Sequence, residues 1–288
     1  MKWHDIANPN DPELDRLAAE YHIHPLHIED CRSRAQRAKV EENDGYIFVV
    51  FKPVEFAEDG GLSVWDLDVF LGRGWVITVR ELNCDQADKI LQPVHAMEAT
   101  LREDQVLYRV SDGVVDGYLP LLDRIDDQID EMEEQVLDSP TPEVLARIFR
   151  ARRTLIELRR VLVNTRDVAA HLYRTEHDLI GKDLMPFMRD VYDHVARNLD
   201  LVETQRDLLT GTMDVYLSSV ANRTNQVMKV LTVMGTIALP VLVISGFYGM
   251  NTKGLPFADS PYGVVIVSML MLLSTLGLLG LLKKFGWF

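Results

Sequence analysis

Val230–Asn251 reads VLTVMGTIALPVLVISGFYGMN. Its first nineteen residues, Val230–Tyr248, carry no charge; as a helix they reach ~28 Å, close to the hydrocarbon thickness of a bilayer. A second uncharged stretch of the same length, Val264–Leu282 (VVIVSMLMLLSTLGLLGLL), follows. A core helix of a soluble domain rarely lacks charge on every face for this length, so the two runs predict membrane spans. Arg223 and Lys229 precede the first, and Lys283-Lys284 follow the second. Positive residues stay on the side of synthesis, which places both termini in the cytoplasm and the connection 249–263 outside. The start, MKWHDIANPNDPELDR, offers no apolar run for a signal peptide, in agreement with that orientation.

The first span is less apolar than an anchor requires. Asn225, Met228, Thr232, Gly235, Thr236, Leu239, Leu242 and Gly246 recur at intervals of three and four, so they share one helix face. That face carries the span's small and hydroxyl groups, and the opposite face is Val, Ile and Leu. Small residues also let membrane helices approach closely, so a helix–helix contact competes with a water-lined face. Two spans cannot enclose a pore, so conduction demands a ring of identical subunits.

Upstream, the stretch from Pro186 runs without another proline to Pro240. As one helix to Gly246 it would be roughly 90 Å long, which predicts a stalk that continues into the membrane. Leu145–Tyr173 and Val114–Leu137 also read as long helices with apolar residues three and four apart. The first 110 or so residues read as mixed α/β. Asp11–Tyr21 has a helix-start signature with Pro12 in the first turn, and a helix is expected over Asp85–Met97. Tyr46–Phe56, Leu62–Leu71 and Trp75–Arg80 are β-branched and aromatic runs separated by Gly60-Gly61 and Gly72-Arg73-Gly74. The expected fold is an α+β membrane protein: an α/β domain over 1–112, a helical stalk over 113–229, and a two-helix membrane region over 230–288.

Average composition conceals this split, with 47% hydrophobic residues and a mean hydropathy of −0.02. From Val230 onward there are three lysines and one aspartate, a net of +2, so the preceding residues hold −16 of the chain's −14. An acidic surface argues against a nucleic-acid partner and is compatible with cations. Cys31 and Cys84 have no CxxC or histidine companion and fit reduced thiols. His22-x-His24-x-x-His27 contains imidazoles suited to Zn2+, but Pro25 interrupts any shared helical face. No GxxxxGK[ST], GxGxxG after a strand, HExxH or GxSxG occurs, so no enzyme is expected.

The end of the first span, Tyr248-Gly249-Met250-Asn251, with two C-terminal spans and a terminal Lys-Lys, resembles the CorA family of divalent-cation channels. Upstream matches extend the resemblance: Asn225–Thr232, Asp214–Ser219 and Arg189–His194 are similar to the family's stalk helix, and His24-Pro25-Leu26, Glu29-Asp30 and Lys39-Val40-Glu41 to its N-terminal domain. The resemblance implies a homo-pentamer in the cell (inner) membrane, its pore lined by the first span. It implies that a ring of GMN loops receives the hydrated ion through neutral oxygens, and that the hydroxyls of Thr232 and Thr236 face its water shell. Met228 and Leu231 match a hydrophobic constriction, Asn225 a polar ring at the cytoplasmic exit, and Leu239 and Leu242 positions on or near the pore face. Asp190, His194 and Asp214 match stalk positions where cytoplasmic divalent ions hold the channel shut. The partner carboxylate is not placed; Asp66 and Asp68 stand as candidates.

No resident cofactor follows from this, only divalent cations as cargo and regulator, Mg2+ first (with Co2+ or Ni2+) and Zn2+ open. After GMN the sequence departs from the family's usual magnesium pattern: Phe257 stands where a glutamate is expected, Lys253 adds positive charge, and Asp259 is displaced by two residues. Thr252-Lys253-Gly254-Leu255-Pro256 looks closer to the ZntB branch. The alternative is therefore a ZntB-like Zn2+ transporter coupled to protons. A membrane-tethered scaffold or metal sensor is the reading from another class, and the polar stripe with its GMN loop speaks against it.

Overall fold

The computed structural model describes residues 1–33, 36–57, 60–82, 84–175, 177–252, 254–257 and 260–286. Lys253 and Asp259 lie outside them. Two compact units result, Met1–Val215 and Tyr216–Phe288.

The first unit begins with β1 (Lys2–Ile6), α1 (Pro12–Glu20) and α2 (Pro25–Arg32). Then come β2 (Lys39–Asn43), β3 (Tyr46–Phe51), β4 (Val54–Phe56), β5 (Leu62–Val64), β6 (Leu67–Gly72) and β7 (Trp75–Arg80). The main sheet has the order β1-β7-β6-β3-β2, with β1 parallel to β7 and the other neighbours antiparallel. Every residue of β3 and β6 is buried, as expected of central strands covered on both faces. Leu14, Leu17 and Ile28 from α1 and α2 join Tyr46, Phe48, Val50 and Phe70 in one cluster. On the sheet, α4 (Glu103–Asp116) packs against β6 and β7.

Three boundaries differ from the sequence reading, two at a proline and one at a buried ion pair. Tyr46–Phe56 is two strands, because Pro53 has no N–H for the ladder; β4 leaves the sheet and pairs with β5 instead. Leu62–Leu71 likewise divides into β5 and β6, with Asp66 between them in a buried ion pair with Lys52. Val114–Leu137 is divided between α4 and α5 (Leu119–Asp138), since Pro120 fits only the first turn of a helix. At the break, Tyr118 is fully buried and its hydroxyl donates to the Lys52 carbonyl at 2.9 Å, with Thr165 Oγ1 at 3.2 Å. The polar run Lys2-Trp3-His4-Asp5 gives no strand signal, yet β1 forms, with Trp3 Nε1 donating to Thr78 Oγ1 at 3.1 Å.

Long helices complete the chain: α3 (Asp85–His95), α6 (Pro142–Arg174), the 64-residue α7 (Met185–Tyr248) and α8 (Gly263–Lys284). Met185–Val215 of α7 belongs to the first unit and Tyr216–Tyr248 to the second. The most apolar windows of α7 and α8 are only 6% and 0% buried. Neither window is covered as the core helix of a soluble domain would be, which agrees with the two membrane spans expected from the sequence. Within the second unit, Lys229 Nζ lies 3.5 Å from the Gly286 carbonyl, so the basic ends of the two apolar helices are neighbours.

Candidate ion pathway and metal-binding clusters

Along the second half of α7 both the predicted stripe and the opposite face, with Val230 and Val241, lie on unburied surface. Met228, Leu231, Leu239 and Leu242 are 55%, 63%, 60% and 68% exposed. Such apolar exposure in one chain demands lipid or further copies. Thr232 Oγ1 donates to the Met228 carbonyl and Thr236 Oγ1 to the Thr232 carbonyl, both at 2.8 Å. Each hydroxyl thus satisfies its proton on the backbone and keeps lone pairs for an incoming donor, such as water on a cation. Pro240 has no N–H to return to the Thr236 carbonyl. Gly235 and Gly246 face open space. Asn225, Met228 and Thr232 also border a groove of about 450 Å³ with Phe285 and Gly286 beyond α8.

At the helix end, Gly249 N donates to Ser245 O at 2.8 Å and Met250 N to Phe247 O at 3.4 Å. Gly249 takes no left-handed φ; a Cβ there would stand 3.0 Å from the Ser245 carbonyl, a tight contact that glycine avoids. Left-handed backbone occurs later, at Gly254 (φ 89°) and Phe257 (φ 61°). Tyr248 packs edge-on against Phe247 at 5.5 Å. Met250 and Asn251 are exposed.

In the first unit, His194 Nε2 lies 3.7 Å from Asp190 Oδ2 and Nδ1 lies 3.9 Å from Asp116 Oδ1. Asp112, Asp116 and His194 bring one ligand atom each within 4.8 Å of one another. Burial raises the Asp112 carboxyl pKa, and the neighbouring Asp116 charge raises it further; a bound cation would relieve both. Sequence reading missed Asp112 and Asp116, although their four-residue spacing puts both on one face of α4. Asp214 is not part of this cluster: it stands twenty residues beyond His194 on α7, about 30 Å at ~1.5 Å per residue.

The candidates Asp66 and Asp68 are 5% and 2% exposed, so neither presents a carboxylate to another subunit. Asp66 pairs with buried Lys52, and burial among acids pushes Asp68 up to about 8. The N-terminal histidines take three separate roles. His22 adopts a φ of 55°, and His24 Nδ1 accepts from Leu26 N at 3.2 Å as the cap of α2. His27 is buried between the Tyr46 hydroxyl at 2.8 Å and Glu41 Oε2 at 2.9 Å.

A sequence profile described as CorA-like Mg2+ transporter protein matches residues 1–284. The cobalt/magnesium transport protein CorA of Thermotoga maritima is 37% identical over 290 residues, covering 99% of this chain and 83% of that protein. The complete structure of the CorA magnesium transporter from Methanocaldococcus jannaschii superposes with a TM-score of 0.86 at 26% identity, covering 99% of this chain and 91% of that one. The ZntB cytoplasmic domain of Vibrio parahaemolyticus shares the fold at 13% identity, with a TM-score of 0.65 over 76% of this chain and 88% of that one. By profile, sequence and fold, the chain belongs to the CorA family of divalent-cation transporters, whose members are not enzymes.

Proposed function

We propose that the chain assembles as a homo-pentamer in the cell membrane and conducts Mg2+, with Co2+ or Ni2+, down its electrochemical gradient, with both termini cytoplasmic. The observation that carries this reading is the one face of α7 on which Asn225, Thr232 and Thr236 recur, their threonine protons satisfied on the backbone, ending in the exposed Gly249-Met250-Asn251. A small hard dication sheds its waters reluctantly. Neutral oxygens from the Asn251 amide and the Gly249 and Met250 carbonyls suit the water shell and release it again. Deeper, Thr232 and Thr236 accept from that shell, and the Met228 and Leu231 rings form a narrowing that closes by dewetting. Asn225 lines the exit; Gly235, Leu239 and Leu242 complete the wall, which coordinates weakly in its outer half. An inside-negative potential supplies ~4.6 kcal/mol per 100 mV for a dication, so uptake needs no ATP. The meeting of Lys229 with the end of α8 gathers the basic residues on one side, as the positive-inside rule requires.

The regulatory reading places a cytoplasmic divalent ion at Asp190 and His194, to which the geometry adds Asp112 and Asp116. Asp214 remains a separate candidate further along the stalk. Competitive flux of Mg2+, Co2+, Ni2+ and Zn2+ into liposomes tests the whole. Each Asn251 amide is worth about 1 kcal/mol of hydrogen bonding, so around a ring Asn251→Ala lowers Mg2+ flux more than about tenfold. Unchanged flux removes the loop from selection. A dependence of metal flux on imposed pH gradients would favour proton-coupled Zn2+ transport, the reading to which the Lys-Gly-Leu-Pro loop points.

A further inference from the structure

Away from the ion pathway and the α4–α7 cluster, Glu42 on edge strand β2, His171 in the last turn of α6 and His177 just beyond it converge. One ligand atom from each lies within 4.8 Å of the others. His171 Nε2 is 2.8 Å from Glu42 Oε1, and His177 Nδ1 is 3.4 Å from the same oxygen without the alignment of a hydrogen bond. His177 is 8% exposed, and among the described residues neither of its ring nitrogens has a hydrogen-bond partner. Burying polar atoms without partners costs about 1–3 kcal/mol each, which coordination of a cation offsets.

We propose that Glu42, His171 and His177 bind a transition-metal dication of the Zn2+, Co2+ or Ni2+ class, one per subunit. The donor set selects against the hydrated ion of the pore: imidazole nitrogen suits these metals, whereas Mg2+ prefers oxygen and keeps its waters. A tetrahedral ion with bonds of about 2.0–2.2 Å needs ligand atoms about 3.4 Å apart. The His177–Glu42 pair already has that spacing, and His171 reaches it by giving up its hydrogen bond to Glu42. Burial lowers the His177 pKa, which favours the neutral ring that ligates. A cleft of about 520 Å³ bordered by Glu42, Arg73, His177 and Asp178 gives water a route to the fourth position. Bound metal would tie the end of α6 to the sheet edge. All three ligands lie in the first unit, so the site does not depend on the transport reading.

The test is titration of the full-length protein in detergent with Co2+ under excess Mg2+, read by the visible d–d absorption of bound Co2+. The expected result is one Co2+ per subunit, displaced by Zn2+ and not by Mg2+. His171→Ala and His177→Gln should each weaken binding more than about tenfold, beyond the lower bound for outer-shell changes. Under the same excess of Mg2+, Zn2+ should raise the thermal midpoint of the wild type more than that of either variant. The band should persist in His194→Ala, which separates it from the α4–α7 cluster. Equal Co2+ affinity in His177→Gln, displacement by Mg2+, or loss of the band in His194→Ala overturns the proposal. Should His177→Gln fail to fold, His171→Ala decides, since that side chain is already part-exposed.

Discussion

Asp190 and His194 sit one helical turn apart, with Asp116 reaching the other ring nitrogen. If a cytoplasmic cation closes the channel there, Asp190→Lys replaces that cation with a fixed positive charge. Internal Mg2+ should then lose its hold on flux, with the half-inhibiting concentration shifted at least about fivefold, the lower range of allosteric coupling. Flux assays at graded internal Mg2+ check this, and unchanged sensitivity removes Asp190 from gating. The sequence supplied His194 and Asp190 through the resemblance, but not their partners on α4. Carboxylates four apart on an acidic helix are common, and only packing of α4 beside α7 distinguishes Asp112 and Asp116 from a solvated face.

Asp68 makes a second residue-scale prediction. Its carboxyl is raised to about 8, chiefly by burial and then by Asp66, against about 3.9 in an unfolded chain. Between those values the folded state binds a proton that the unfolded state does not. Stability therefore falls as pH rises from about 4 to about 8, by up to ~1.4 kcal/mol per pH unit from this group, and levels off above. Asp68→Asn should flatten that slope in thermal midpoints measured across the range; an unaltered slope would assign it elsewhere.

At the scale of elements, hydrophobic period and punctuation located most of the helices and strands. The hairpins at Gly60-Gly61 and Gly72-Arg73-Gly74 form where their glycines stand, Gly60 and Gly74 with φ of 81°. What periodicity missed was decided by packing. Strand β1 carries almost no apolar alternation and is held by pairing with β7. Helix α2 begins at the proline that looked like an interruption, because Pro25 occupies its first turn. The break between α4 and α5 is anchored by Tyr118, whose hydroxyl joins Lys52 and Thr165. Tyr118→Phe strands the Lys52 carbonyl in the interior, so a loss of about 1–3 kcal/mol is expected, visible as a lower thermal midpoint with the fold retained. No change in midpoint would show that the Tyr118 hydroxyl contributes nothing at the break.

At the scale of the molecule, the uncharged runs and the acidic remainder were legible in the sequence, and the nearly unburied apolar windows of α7 and α8 bear out a membrane protein. Subunit number was not legible, because nothing in one chain's periodicity counts copies around an axis. The same holds for the preferred ion. Neutral oxygens select hydration and size, and the loop charges that would tune capture depart from the family pattern.

The proposed pathway stands on the orientation of one face of α7. Thr236→Cys and, on the opposite face, Val241→Cys can each be exposed to a water-soluble thiol reagent in liposomes while Mg2+ flux is followed; Cys31 and Cys84 are buried and out of its reach. Flux through Thr236→Cys should fall to near zero on labelling, and flux through Val241→Cys should continue unchanged. Block at Val241→Cys with Thr236→Cys unaffected would mean that the threonines face lipid, and the pore described above would not exist.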